Sequence, residues 1–173
     1  MKKIFKCIVC MLLAAIVAAS LTACHRTVQP SVTPAPAKDY NVDEIAASIA
    51  ANVPFEDEYL ALVANREFAL STCSIDPALV ADENGEKASS IYVSGAYPEM
   101  IVAIKAVDEA SAATVMESVK ALIDNYIKNY TTYPPEQVAK LESAVTVQRG
   151  AYVFAIVSND NAAAESYLSG LLG

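Results

Sequence analysis

Side chains that could do chemistry gather at a few places along this 173-residue chain. Glu56, Asp57 and Glu58 are consecutive acids in "PFEDEYLALV" and could help bind calcium or serve as paired carboxylates. Neighbouring side chains on a helix diverge, so the triplet reads first as a solvated face. Asp82, Glu83, Asn84 and Glu86 set oxygen ligands around Gly85. They miss the alternating acids of a calcium loop, and the stretch reads as a turn. Tyr126, Tyr130 and Tyr133, followed by Pro134, Pro135 and Glu136, offer an aromatic surface for a glycan or a peptide. The first two tyrosines continue a helical apolar stripe, so the candidate binding residues narrow to Tyr133, Pro134, Pro135 and Glu136.

The absences are as informative as the clusters. The single histidine, His25, stands in a proline-rich stretch with no partner to orient it. The rest of the chain therefore has no Ser-His or Cys-His pair, and neither a G-x-S-x-G elbow nor an S-x-x-K motif replaces one. Five glycines form neither a P-loop nor a dinucleotide fingerprint. With no histidine and one cysteine to spare in the body, a zinc site would need several carboxylates, which zinc seldom uses alone. The sequence thus names no catalytic residue, no metal ligand and no cofactor, and leans against an enzyme. Two acids supplied by separate elements would leave no motif and would suffice for glycoside cleavage.

The N-terminus has its own chemistry. Lys2, Lys3 and Lys6 precede an apolar run from Cys7 to Ala19, the order of an export signal. The run is shorter than the roughly 20 apolar residues of a membrane span. Leu21-Thr22-Ala23-Cys24 resembles the bacterial lipobox, a leucine and two small residues ahead of a cysteine whose thiol accepts a diacylglyceryl group. The resemblance implies cleavage before Cys24 and lipid on that residue. Residues 1–23 are then a lipoprotein signal peptide, 24–39 a lipidated cysteine and Pro-rich tether, and 40–173 one domain. The membrane is a partner through the lipid, at the extracytoplasmic face of the cell.

Removing residues 1–23 takes away three lysines and no acid, moving the net charge from −8 to −11. So acidic a body has no basic surface with which to displace phosphate counterions, which excludes nucleic acid as a partner. Cys73 is left as the one thiol of the body, without a disulfide partner, and reads as a small buried hydrophobe.

Periodicity supplies the elements that must hold these groups. Val42, Ile45, Ala46 and Ile49 fall on one helical face behind Asn41, predicting a helix over 42–52. "PFEDEYLALV" is assigned a short helix, and Asp76-Pro77 the start of another ending by Ala81. "SSIYVSG" and "MIVAIKAV" read as a hairpin joined through Gly95–Pro98. Asp108 caps a helix over 109–130, with Val115, Val119, Leu122, Ile123, Tyr126, Ile127 and Tyr130 on one stripe. Pro135 opens a further helix, "AVTVQRGAYVFAIVS" forms a second hairpin about Arg149-Gly150, and a last helix is capped near Asn159 or Asp160. The expected fold is a two-layer α+β domain, an antiparallel sheet of about four strands packed against helices. Val145, Val147, Phe154 and Ile156 are expected to share one core with the 109–130 stripe.

The runs "IYVSGAYPEMIVAIKAVDEA" and "YPPEQVAKLESAVTVQRGAYVFAIVSND", behind the lipobox, resemble the bacterial lipoproteins grouped as domain of unknown function family 4358. The likeness extends over about 42–170. It departs at Ser71 and Cys73, where the family more often has Tyr-Gly. The resemblance implies an extracytoplasmic lipoprotein and brings no reaction, ligand or catalytic residue with it. The function expected is a non-catalytic binding or assembly module of the cell envelope, with an envelope protein or wall component as partner. A carboxylate-dependent cell-wall glycan hydrolase is the alternative.

Overall fold

The computed structural model describes residues 38–81, 88–132 and 134–173. Cys24, the 82–86 acids and Tyr133 lie outside them. Among these residues five helices and five strands follow in order: α1 (Val42–Asn52), β1 (Ala61–Leu62), α2 (Arg66–Thr72), β2 (Ser89–Val93), β3 (Met100–Lys105), α3 (Glu109–Tyr130), α4 (Val138–Glu142), β4 (Val145–Arg149), β5 (Tyr152–Val157) and α5 (Asn161–Leu172). Single 3₁₀ turns at Pro77–Leu79 and Pro135–Gln137 complete the set. The sheet is antiparallel in the order β1-β2-β3-β5-β4, an α+β arrangement with one strand more than the two hairpins supply.

The caps explain where the helices begin. Asn41 Oδ1 accepts from the amides of Asp43 and Glu44, Asp108 from Ser111 and Asp160 from Ala163. The hairpin between β4 and β5 turns through two residues, and Gly150 takes the left-handed φ of +55° that such a turn needs at its first position.

Alternate residues of the central strands feed two cores. Met100, Val102 and Ile104 of β3 join Val153, Ala155 and Val157 of β5 beneath Ala112, Val115, Met116, Val119 and Ile123 of α3. Ile101 and Ala103, with Phe154, Ile156 and Val145, face α1 and α5 instead. Helices therefore cover both sides of the sheet. The expectation for Val145, Val147, Phe154 and Ile156 is corrected here: they lie across the sheet from α3 and pack with Val42, Ile45, Ile49, Ala164 and Leu168. The reason is β5 itself, "YVFAIV", buried at every position. A strand apolar on both faces does not disclose which face meets which helix.

The expected helix in "PFEDEYLALV" is also corrected. Residues 54–60 form a loop, and Ala61–Leu62 is a short edge strand paired with Tyr92 and Val93 of β2. The helix that follows, α2, is capped by Asn65, whose side chain accepts from the Phe68 amide. It buries Ala69 and Leu70.

Candidate functional site

Polar side chains collect at both ends of the central strand β3. Where β3 ends and β5 begins, Lys105 Nζ lies 3.3 Å from Asp39 Oδ1, and the Tyr152 hydroxyl donates to the same carboxylate. Lys38 Nζ and the Tyr40 hydroxyl donate to the Leu172 carbonyl at 3.0 and 3.1 Å. Lys38 and Asp39, placed by sequence in the tether, are already tied to the body.

The richer cluster lies at the other end, about 17 Å away along the six residues of β3. Its centre is Glu99, whose side chain has no exposed surface. Pro98 and Glu99 close the turn between β2 and β3, where the Ser94 amide donates to the Glu99 carbonyl at 3.0 Å. The Glu99 carboxylate accepts from the Glu56 amide at 2.9 Å to each oxygen, from the Asp57 amide at 3.0 Å and from Lys140 Nζ at 2.8 Å. A buried carboxylate is stable only when it is satisfied in this way.

Around it the three acids of "EDE" take three different roles. Glu56 accepts Lys140 Nζ at 2.8 Å and the Gln137 amide Nε2 at 3.4 Å, with 37% of its side chain exposed. Asp57 is buried, accepting from Ser94 Oγ at 2.5 Å, the Gly95 amide at 3.2 Å and the Tyr59 amide at 2.8 Å. Glu58 is exposed. The solvated face expected from sequence thus holds for Glu58, in part for Glu56, and not for Asp57, which is buried. Asp57 is a loop staple and Glu56 an ion-pair partner.

The charges tune one another. The Lys140 hydrogen bond holds the Glu56 carboxyl below its usual range, and the Ser94 hydroxyl does the same for Asp57. Burial works against the charged Lys140, but Glu56 and Glu99 outweigh it and raise its pKa. The negative charge of Glu56 raises Tyr97, whose ring lies 5.5 Å beneath the Lys140 ammonium. Lys140 is itself positioned by α5: Asn161 Nδ2 donates to its carbonyl at 2.7 Å and to Ser143 Oγ at 3.0 Å.

Of the residues proposed from sequence for binding, Pro134 is half-buried, while Pro135 and Glu136 are exposed where the 3₁₀ turn begins. They border this cluster because the next residues, Gln137 and Lys140, enter it. Neither was singled out in the sequence. Their spacing of three, which sets both on one side of a turn, is the signal that could have found them. Cys73 stands apart, 1% exposed, with its thiol pushed up to about 11 by burial. Among the described residues no group of acids, cysteines and histidines is arranged to hold a metal ion, and no helix is long and apolar enough to cross a membrane.

Residues 82–158 match the family model described as Domain of unknown function (DUF4358). Over that stretch the chain matches the family. The DUF4358 match runs through β2, β3, α3, α4, β4 and β5, and so includes Ser94, Tyr97, Glu99, Gln137 and Lys140. Glu56 and Asp57, which bind to them, precede the match, and Asn161 follows it. No curated protein and no solved structure matches the chain.

Proposed function

We propose that this chain is an extracytoplasmic lipoprotein, anchored through a diacylglyceryl group on Cys24, whose body is a non-catalytic binding or assembly module of the cell envelope. The order of lysines, apolar run, Leu21-Thr22-Ala23 and Cys24 supports the anchor. Two acyl chains give stable attachment without a basic patch, which suits so acidic a body.

The observation that carries the non-catalytic reading is the saturation of Glu99. Its four hydrogen bonds and complete burial leave it no lone pair or path for a substrate proton. Glu56 is itself engaged by Lys140 and Asp57 by Ser94, so the cluster presents no facing pair of free carboxylates, which glycoside cleavage needs. The contact region of the module is the 134–137 connection with the adjoining turn between β2 and β3.

Two experiments test this. In cells fed labelled palmitate, Cys24→Ala is expected to abolish labelling and leave the precursor uncleaved; unchanged labelling rejects the anchor. A photo-crosslinking residue at position 135 is expected to capture an envelope partner that the same residue at position 117 does not. Equal capture at both, or turnover of wall glycan lost in Glu56→Gln, rejects the module.

A further inference from the structure

The end of the sheet that holds Glu99 is the end farther from Lys38 and Asp39, where the described residues begin. Asp39 and Lys38 bond at the Lys105–Tyr152 end, whereas Glu56, Tyr97, Glu99 and Lys140 meet beyond Met100. What this far end presents to solvent is acidic and apolar together. Glu56, Glu58 and Glu136 expose carboxylates, and Tyr59 is 84% exposed and Leu62 41%. Leu62 belongs to β1, an edge strand whose outer side pairs with no other strand of the sheet.

A second observation points to a ligand. Gln137 is 6% exposed and its carboxamide is turned into the cluster, Nε2 lying 3.4 Å from Glu56. Its Oε1 nevertheless has no hydrogen-bond partner among the described residues. A buried carbonyl oxygen left unbonded costs free energy and is open to a further donor. Lys140 stands one turn along on the same side. If a ligand cation takes the Glu56 carboxylate, the Lys140 ammonium keeps Glu99 and turns its remaining donors to Gln137 Oε1. The cluster is then satisfied with a cation bound, and one acceptor short of satisfaction without it.

We propose that this far pole docks an extended, lysine-bearing segment of a partner protein, with a lysine ammonium on Glu56 and further cations on Glu58 and Glu136. The segment's backbone follows the open edge of β1, and its apolar residues cover Tyr59 and Leu62. The inference rests on the binding-module reading and adds to it the chemistry of the partner. The charges of the pole select a cation, while the free strand edge and apolar side chains select a polypeptide.

The test uses the full chain in nonionic detergent and a terminally blocked peptide of alternating lysine and valine. Zero-length carbodiimide coupling joins carboxylates to lysine amines where the two touch, and mass mapping finds them. Coupling is expected to concentrate on Glu56, Glu58 and Glu136. Glu136→Gln, at a side chain that bonds to none of the described residues, is expected to lower coupling at the other two by about two- to fivefold, the size of one exposed charge pair. Gln137→Met is expected to lower it further, with thermal unfolding confirming that the variant folds. Coupling spread evenly over Glu44, Glu117 and Glu165, or coupling of the chain to a second copy of itself, overturns the proposal. If coupling is diffuse while position 135 still captures a partner in cells, the lysine segment is rejected and the module stands. If both fail, the module is rejected as well.

Discussion

Lys140 and Glu99 meet at 2.8 Å, an ammonium with little exposure against a carboxylate with none, joining α4 to the turn between β2 and β3. Because Glu99 also takes the Glu56 and Asp57 amides, this one pair fastens three segments far apart in sequence. Breaking such a pair strands a buried charge, whereas replacing both partners does not. Lys140→Met and Glu99→Leu are each expected to cost about 3–5 kcal/mol in denaturant unfolding. The double variant is expected to cost clearly less than their sum. Additive losses would mean that the two residues act independently.

Acid should loosen the same loop. Glu56 and Asp57 titrate below the usual carboxylate range in the folded chain, lowered by Lys140 and by Ser94 respectively. A lowered folded pKa contributes stability above the unfolded value, about 4, that is lost as the pH falls through the folded value. The melting temperature is therefore expected to hold steady from neutral pH down to about 5 and to fall below about 4. Asp57→Asn should flatten that fall. A variant with the wild-type acid profile would show that Asp57 carries none of it.

How far this architecture was legible from sequence depended on whether its signals were local. The helix over 109–130 and the Asn41 cap were readable, because periodicity and cap lie within one segment. β1 and the roles of Glu56 and Asp57 were not, since β1 pairs with Tyr92 and Val93 and the two acids with Glu99 and Ser94, some 30 to 40 residues away. Helix α2 was hidden for another reason: it is seven residues long, and Phe68, its largest apolar side chain, is 64% exposed.

The two-faced core predicts a pattern of coupling. Phe154 is fully buried opposite Ala103, and Phe154→Ala is expected to cost about 3–5 kcal/mol. Ile49→Val, on the same face, should couple with it. Val119→Ala, on the far face, should add to it within about 0.5 kcal/mol. Strong coupling to Val119 instead of Ile49 in double-mutant cycles would reverse the assignment of faces.

Cys73 should be inert while the chain is folded. At 1% exposure, with its thiol pushed up to about 11, it offers almost no thiolate at about pH 8 and no approach for a reagent. Labelling by a maleimide is expected only as fast as the protein opens, so its rate should follow denaturant concentration. Rapid labelling of the native protein would place the thiol at the surface.

Ser74 tests the backbone directly. It follows α2 with a φ of +54°, the one non-glycine residue in the left-handed region among those described. The Ile75 amide returns to the Leu70 carbonyl at 2.9 Å, so the conformation closes the C-terminus of the helix. A serine pays about 1 kcal/mol for that geometry and a glycine does not. Gly at this position also gives the unfolded chain more freedom, which offsets part of the gain. Ser74→Gly is therefore expected to stabilise the domain by a few tenths of a kcal/mol, up to about 1, and Ser74→Val to destabilise it by more than that. Equilibrium unfolding decides the matter: a destabilised Ser74→Gly would show that the serine side chain holds the turn and that the strain is relieved elsewhere.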